Sequence, residues 1–571
     1  MHGGFVIAQH KLSRLVPIEN AAMENRRVIQ WDKDDLESLR LLKVDVLALG
    51  MLTAIRRTLD MVDALPGRRA YYKAADKLAM QDLPEGDEET YDMICRAETI
   101  GVFQIESRAQ QSMLPRLRPR KYYDLVIQVA IVRPGPIQGG MVHPYLQRRE
   151  AMRNGNTDCV TYPGKEVEGV LKRTLGVPIF QEQVMQIAID AADFTPDEAD
   201  RLRRDMAAWK RKGNLVQHQV RLKQVMVEER NYDPAFVDAL CSQMEGFAEY
   251  GFPESHAAGF AKLAYISSYL KCHEPAAFFA ALLNSQPMGF YSPSQLVQEA
   301  RRSRVRVLPV DVTASVWDST LHERPGAASE ERAQPDIRLG FSRIRGMRQP
   351  AAERIEAARA QAPFSSVDDL AYRAELDRHD LNVLAAANAL KPLAGHRRQA
   401  LWQTLALQEP GHDHALLRQA RPVEASLVLP APPIGEEVVA DYSSLGLSLQ
   451  RHPISLLRPR LDDMRFVTAA TLAGYRNGQL ARACGIVTVR QRPGTAKGTI
   501  FVSIEDETGT INVVLWPRLI ERQRREVLNA QLLGVYGKWQ CERETRHLVA
   551  QHLVDLTPLL GRLATFSRDF H

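Results

Sequence analysis

A lysine and an aspartate stand two residues apart within the apolar stretch RLLKVDVLALG, residues 40–50. Side chains of a strand alternate between faces, so Leu42 and Val44 would share one face while Lys43 and Asp45 share the other. The pattern predicts a strand with a buried apolar face. Its opposite face would present either a charge pair to solvent or a metal-binding carboxylate beside a cation for phosphates.

A second acidic stretch, DKDD at residues 32–35, is a weaker candidate for metal binding. Two carboxylates spaced D-x-D on a strand are typical of two-metal sites. Here they precede the helical pattern DLESLRLL and stand among turn-forming residues. N-capping of that helix explains them better.

Three basic segments have the composition of phosphate-binding surfaces. The densest, residues 201–223, contains Arg203 and Arg204 and a single acid, and predicts either a solvated helix face or a helix that delivers cations to phosphates. Residues 115–121, PRLRPRK, have a spacing that suits a nucleic-acid backbone, and residues 490–498, RQRPGTAKG, would form a basic loop between two strands. The candidate side chains of the last two segments are Arg116, Arg118, Arg120, Lys121, Arg490, Arg492 and Lys497.

The stretch FSRIRGMRQPAAERIEAA, residues 341–358, has the shape of a helix-hairpin-helix with Arg345 and Gly346 in its turn. Such a hairpin binds DNA through backbone N–H groups that face a phosphate. Arg348 stands where the second glycine of the hairpin usually occurs. A second hairpin is predicted at residues 381–401, with Asn388 in the turn; the alternative is two packed helical hairpins without a role in DNA binding.

Composition and length place the chain among multidomain globular proteins. It has 571 residues, a net charge of +5 that permits nucleic acid as a partner, and six scattered cysteines without a C-x-x-C pair. The cysteine pattern argues against a structural zinc site and a disulfide framework and favours reduced thiols in the cytoplasm. No apolar run is long enough to span a membrane.

The order of the predicted elements indicates an α+β multidomain fold. Residues 1–50 have strand and turn patterns, and residues 51–300 have mostly helical periodicity. From about residue 465 the period changes to two. Three strands, a helix and two strands then follow in the order of a five-stranded OB barrel.

A series of motifs resembles the bacterial C-family DNA polymerases, the replicative alpha-subunit family. The motifs are RRVIQWDKDDLESLRLLKVDVLALGMLTAI, GVFQIESRAQQSMLPRLRPR, VRPGPIQGGMVHPYL, PIFQEQVMQIA, LRRDM and YGFPESHAAGFA. The variants QIESRAQ, FPESHA and RQRPGTAKG, with the closing SRDFH, are similar to the error-prone, damage-inducible branch. The resemblance covers essentially the whole chain.

The resemblance implies a domain layout. Its parts are the C-terminal part of the palm (1–50), mostly helical fingers (51–335), a tandem helix-hairpin-helix region (336–405), a linker (406–464) and an OB-fold domain (465–571).

The resemblance also implies residue roles and an activity. Asp45 matches the third palm carboxylate that holds two Mg²⁺ ions, Lys43 matches a lysine that faces the triphosphate, and Arg203 and Arg204 match paired arginines on the phosphates of the incoming nucleotide. The implied activity is error-prone, DNA-directed DNA synthesis in translesion synthesis and induced mutagenesis, by two-metal transfer from a dNTP to a primer 3′-OH. The implied partners are primer-template DNA, dNTP, and a sliding clamp or mutagenesis-cassette proteins, with nucleoid DNA in the cytoplasm as the place of action.

Two departures from the family pattern change the expectation for this chain. Family members carry upstream a PHP domain and the first part of the palm with a D-x-D pair, neither of which this sequence contains. We therefore expect a shortened polymerase that is inactive alone, with a non-catalytic DNA-binding protein as the alternative. The pentapeptide QTLAL (403–407) is a weak match to a clamp-binding motif because it lacks the terminal aromatic residue.

Overall fold

The computed structural model describes residues 4–21, 27–31, 35–36, 39, 41–45, 48–132, 140–207, 215–247, 253–323, 334–406, 427–492, 498–542, 545–563 and 568–570. Helices and sheets both occur along the chain, so the predicted α+β multidomain class is confirmed. Predictions that fall on other residues, such as most of DKDD, lie outside the described residues.

The N-terminal segment forms two small antiparallel sheets. Its strands are β1 (Gly4–Ile7), β2 (Ile18–Asn20), β3 (Arg27–Ile29) and β4 (Leu42–Asp45). β1 pairs with β4, with Gly4 opposite Asp45, and β2 pairs with β3. The two predicted flanking strands and the strand that carries Asp45 are therefore present.

The apolar face of the β1–β4 pair is exposed. The register places Phe5 opposite Val44 and Ile7 opposite Leu42, so these four side chains share one face. All four are exposed, Phe5 at 66% and Leu42 at 60%. The prediction of a buried face is wrong, because alternation determines which side chains share a face but not whether another layer covers it.

The next part of the chain is mostly helical. Its helices are α1 (Leu49–Asp63), α2 (Arg68–Tyr71), α3 (Glu88–Cys95), α4 (Arg108–Leu117), α5 (Tyr122–Ile131), α6 (Val142–Arg153), α7 (Lys165–Leu171), α8 (Gln181–Ala192), α9 (Pro196–Ala207), α10 (Leu215–Lys223), α11 (Pro234–Phe247), α12 (Glu254–His273), α13 (Pro275–Asn284) and α14 (Pro293–Arg302). A π-helical turn, Gln224–Glu229, follows α10 directly.

The longest of these helices, α12, lies at the centre of the helical region. It is apolar around most of its circumference and packs against α5, while α13 packs against α1. α12 ends at His273 because Pro275 disfavours helical backbone at Glu274, and α13 then begins with that proline at its first position. Within the described residues, no helix combines the length and apolar composition needed to cross a membrane.

A small sheet and a group of short helices follow. They are β5 (Val307–Leu308), β6 (Thr320–His322), β7 (Asp336–Arg338), α15 (Gln349–Gln361), α16 (Val367–Arg373), α17 (Arg378–Ala386), α18 (Lys391–Ala394) and α19 (Arg397–Ala406). The first predicted hairpin has a short 3-10 turn, Phe341–Arg343, in place of its first helix.

The region predicted to be a linker contains two regular helices, α20 (Ile434–Ser444) and α21 (Pro453–Asp463). Buried Arg397 of α19 forms ion pairs with Glu437 at 2.9 Å and with Asp441, both on α20. These buried contacts explain why α20 is fixed in place, although the Pro- and Ala-rich composition suggested little order.

The C-terminal region is a closed barrel. Its elements are α22 (Ala469–Ala473), β8 (Leu480–Gln491), β9 (Ile500–Glu505), β10 (Thr510–Leu515), α23 (Pro517–Arg522), α24 (Arg524–Asn529), β11 (Leu532–Glu542), β12 (Thr545–Asp555) and β13 (Arg568–Phe570). β11 pairs with both β12 and β8, which closes the five-stranded barrel, and β13 adds to β8 in parallel. Inward side chains such as Ile504 and Val513 fill the interior. The predicted OB fold is confirmed.

Candidate nucleic-acid interface

The strand that carries Lys43 and Asp45 is part of a two-stranded pair. Lys43 lies opposite Val6 in the register, and Asp45 lies opposite Gly4. β1 and β4 contain a single carboxylate between them, Asp45. Two Mg²⁺ ions need several oxygen ligands, so this strand pair by itself does not fit a two-ion site.

Arg203 and Arg204 lie on the exposed face of α9 and share one carboxylate. Arg203 Nη2 is 3.0 Å from Asp200 Oδ1, and Arg204 Nη2 is 2.5 Å from Asp200 Oδ2. Hydrogen bonds from Arg204, and then from Arg203, lower the pKa of the Asp200 carboxyl. Asp200 therefore holds the two guanidinium groups side by side, and both remain accessible to an anion.

The remainder of the basic segment 201–223 is neutralised locally where the structure describes it. Arg221 of α10 pairs with Glu198 of α9 at 2.5 Å, and Lys223 pairs with Asp238 at 2.7 Å. Residues 208–214 lie outside the described residues. The sequence alone did not reveal these acidic partners, because Glu198 and Asp238 flank the segment.

The segment PRLRPRK joins α4 to α5. Arg116 lies on the last turn of α4 and Arg118 is its C-cap residue with a left-handed backbone (φ 50°). Arg120 forms an ion pair with Asp92 at 2.5 Å, and Lys121 precedes α5. Arg116, Arg118, Arg120 and Lys121 are exposed, which is compatible with contact to a DNA backbone.

The turn of the first hairpin contacts α20. Gly346 has a φ of 81°, which favours glycine, and its carbonyl oxygen accepts a hydrogen bond from His379. The backbone N–H of Arg345 donates to the Ser444 carbonyl at 2.8 Å, and the Arg345 side chain donates to that of Ser443. This N–H is therefore used within the chain.

Arg348 is tied to two aspartates. It is 2.7 Å from buried Asp380 and also pairs with Asp377. Its φ of −97° needs no glycine, so an arginine is accommodated without backbone strain where the family pattern has glycine. In the second hairpin, Asn388 adopts the left-handed conformation (φ 57°) that the sequence predicted for the turn.

The basic loop of the barrel begins two residues later than predicted. Arg490 belongs to β8, and its guanidinium donates to the carbonyl oxygens of Val527, at 2.8 Å, and Ala530. Arg492 is exposed at the start of the loop. Lys497 lies outside the described residues.

Sequence reasoning missed an exposed tryptophan beside this loop. Leu515 pairs with Ile500, so Trp516, the next residue, lies next to the end of the loop where β9 begins. Trp516 is 53% exposed, and its neighbour Pro517 lies close to Gly498. The two-residue period of TINVVLW places Trp516 on the outer face of the barrel and could have identified it.

Two further features were tested for function. Among the described residues, the group with metal-ligating geometry is Glu89, Cys272 and His273, whose ligand atoms lie within 4.8 Å of one another, outside the palm segment. Four residues of QTLAL, Gln403–Ala406, lie in α19, and Thr404 is buried.

Comparison with protein families gives four matches. Residues 1–48 match "Bacterial DNA polymerase III alpha NTPase domain", and residues 51–230 match "Bacterial DNA polymerase III alpha subunit finger domain". Residues 304–400 match "Helix-hairpin-helix motif", and residues 481–556 match "OB-fold nucleic acid binding domain". The fold and these matches define a multidomain protein of the nucleic-acid-binding class.

Similar proteins share one printed name. The chain is 88% identical over its full length to "Error-prone DNA polymerase" of Ralstonia pickettii and 86% identical to that of Ralstonia nicotianae, covering 53% of each relative. It is 60% identical to the protein of that name from Burkholderia pseudomallei, covering 52% of it. The chain belongs to the bacterial C-family DNA polymerases, and it spans about half the length of these curated relatives.

Proposed function

We propose that this chain forms the fingers, helix-hairpin-helix and OB parts of an error-prone, DNA-directed DNA polymerase and binds its primer-template DNA. The main support is the outer face of the barrel, where exposed Trp516 stands beside Arg492 at a loop between strands. Aromatic stacking next to cations is the usual way in which OB folds hold single-stranded nucleic acid. The names of the relatives supply the polymerase class.

The incoming dNTP would bind at the guanidinium pair of α9. A triphosphate can replace Asp200 as the shared acceptor of Arg203 and Arg204, because phosphate oxygens take bidentate hydrogen bonds from arginine. Lys43 would add a further cation. Arg116, Arg118, Arg120, Lys121, Arg345, Gly346 and Arg492 are the proposed contacts to the DNA backbone, with Lys497 in the loop.

Asp45 is the proposed metal ligand. The complete enzyme would transfer a nucleotide from dNTP to a primer 3′-OH with two Mg²⁺ ions, and Asp45 would hold both. Because β1 and β4 contain no other carboxylate, we assign no further step of that chemistry to the described residues.

Primer extension tests this assignment. In a full-length polymerase that includes this chain, Asp45→Asn should lower kcat by at least about 100-fold, since loss of a direct metal ligand exceeds the cost of losing its supporting hydrogen bonds. Asp35→Asn is the matched control and should leave kcat near that of the unmodified enzyme. Equal rates for the two variants would remove Asp45 from the active site.

A non-catalytic DNA-binding protein is the second candidate. It is favoured by the single carboxylate of the β1–β4 pair and by its exposed apolar face. The present chain should then bind primer-template DNA with an affinity that falls as salt rises, yet incorporate no nucleotide in the presence of Mg²⁺. Incorporation by this chain alone would exclude this candidate.

Translesion synthesis and recruitment by a sliding clamp or mutagenesis-cassette proteins are finer proposals, as is a location on nucleoid DNA in the cytoplasm. A clamp-binding role for QTLAL would require the end of α19 to unwind, since Gln403–Ala406 are helical. Surface plasmon resonance with immobilised clamp tests this: a Gln403→Ala variant that binds as well as the unmodified chain would eliminate this motif.

A further inference from the structure

A cleft separates the start of α4 from the outer face of the barrel. It encloses about 780 Å³ and is open to solvent on one side. Arg108 of α4 crosses it: its Nη2 donates to Ser503 Oγ of β9 at 2.7 Å, although the two residues are 395 positions apart in the sequence. The other polar groups of the argument are Gln111, Tyr291, Asn512 and His547.

The Arg108 guanidinium is a cation with neutral partners. Its hydrogen-bond acceptors are Ser503 Oγ and, at 3.5 Å, Gln111 Oε1. Burial lowers the pKa of the Arg108 guanidinium. Across the residues that the structure describes, no carboxylate lies within ion-pair distance of this side chain. A desolvated charge without a counter-charge is costly, so the site favours an anion.

The two acidic residues of the cleft wall make contacts elsewhere. Glu106 Oε2 accepts a hydrogen bond from the Gly101 N–H at 3.1 Å. Glu505 lies 3.4 Å from His452 on the other side of β9. Neither carboxylate is therefore the counter-charge of Arg108.

The barrel wall of the cleft presents polar atoms that lack partners among the described residues. These atoms are Asn512 Oδ1 and His547 Nδ1, and both are buried. Burial lowers the pKa of the His547 imidazole, and the charge of Arg108 lowers it further. Arg108, His547, Ser503 and the amide of Asn512, whose oxygen and nitrogen are assigned rather than observed, can all donate hydrogen bonds to phosphate oxygens.

We propose that this cleft binds a phosphodiester group of a single-stranded nucleic acid that crosses the outer face of the barrel, with Arg108 as its cation. The inference rests on the proposed function, because it assumes that the barrel holds a strand. β9 and β10 form the cleft wall and also the face by which OB folds bind oligonucleotides. A strand on that face would pass between Trp516 at one end and Arg108 farther along.

Fluorescence anisotropy with labelled oligo(dT) across a salt series tests the site in the whole chain. Arg108→Gln should weaken binding at least about tenfold, since hydrogen bonds to charged groups are the strong ones. It should also reduce the slope of log affinity against log salt by about 0.7, the value for one phosphate contact on a single strand. Arg153→Gln, which removes the same charge at the exposed end of α6, should change neither quantity measurably.

Arg108→Lys keeps the test decisive if the glutamine variant folds poorly. Lysine retains the charge but lacks the fork, so the salt slope should persist while affinity falls. A variant pair with the affinity and slope of the unmodified chain would overturn the phosphodiester site and leave the proposed function standing.

Competition with dTTP and inorganic pyrophosphate distinguishes the sources of phosphate. The proposal expects neither to displace oligo(dT) in an Arg108-dependent way. Displacement that depends on Arg108 would assign the cleft to free nucleotides and overturn the strand. If the unmodified chain shows no salt-dependent binding of DNA at all, the proposed function itself fails.

Discussion

The guanidinium of Arg490 donates its Nε–H to the main-chain carbonyl of Val527 at 2.8 Å. A second contact, to the Ala530 carbonyl, lies just beyond the end of α24. Carbonyl groups at the end of a helix have no partner within the helix, and a cation there also interacts favourably with the helix dipole. Arg490 therefore fastens α24 to the barrel, whereas Arg492, two residues later, is exposed to solvent.

The first prediction separates these two arginines. Arg490→Ala should lower the free energy of unfolding by about 1–3 kcal/mol, because two carbonyl groups lose their donor. Differential scanning calorimetry of the whole chain measures it. Arg492→Ala should leave the unfolding transition unchanged and instead reduce the salt slope of DNA binding by about 0.7. The opposite assignment of the two effects would contradict the geometry.

The second prediction concerns Trp516. Trp516→Ala should weaken binding of oligo(dT) by about 1–3 kcal/mol, the usual value of stacking one base on an aromatic ring. Trp516→Phe should retain most of the affinity. Trp402 of α19 is the matched control, because it is similarly exposed, at 50% against 53%, but lies outside the barrel. Equal losses for Trp516→Ala and Trp402→Ala would speak against stacking at the barrel.

The third prediction concerns the first hairpin. Arg348→Ala should lower the free energy of unfolding by about 1.5–3 kcal/mol, because buried Asp380 loses a charged donor and keeps only Arg354, at 3.5 Å. Arg348→Gly should cost more, since the backbone there needs no glycine and glycine adds freedom to the unfolded chain. Arg378→Ala, an exposed change on α17, is the control and should stay within about 0.5 kcal/mol. Greater stability of Arg348→Gly would show that the hairpin favours the family's glycine.

Local patterns predicted the elements well and the contacts between them poorly. The apolar repeat AAGFAKLAYISSYLKCH gave nearly the full extent of α12, and the change to a period of two located the barrel strands. The contact of Arg108 with Ser503 joins residues 395 apart, and no local pattern indicates such a pairing. Likewise, alternation in β4 identified the partners of Val44 but not their exposure.

The fourth prediction uses the neighbourhood of Arg108. Arg108→Gln should raise the pKa of His547, since the cation contributes to lowering it, although burial remains the larger cause. A histidine whose pKa is lowered by folding destabilises the folded state as pH falls below its unfolded pKa of about 6.5. The variant should therefore lose less stability than the unmodified chain just below that pH. Histidine NMR titration measures the pKa, and an unchanged value would place His547 away from Arg108.

The last prediction follows from the ion pair between α9 and α10. The hydrogen bond from Arg221 is the largest cause that lowers the pKa of Glu198 to about 2, and contacts with Thr195 contribute to the same direction. Since this carboxyl titrates below its unfolded value of about 4.3, its contribution to stability is complete above that pH and disappears as pH falls toward about 2. In Arg221→Gln the pKa of Glu198 should rise toward the ordinary value but remain below it, because Thr195 still donates.

Carboxyl NMR titration of the whole chain checks this expectation. Lys223→Gln is the matched control, because Lys223 lies on the same helix but pairs with Asp238, and it should leave the pKa of Glu198 unchanged. The arginine-bearing helix α9 is fixed to α10 through Glu198, so Arg221→Gln should also weaken that connection at neutral pH. Titration of Glu198 at the same pH in Arg221→Gln and in the unmodified chain would show that the two helices are held together by other contacts.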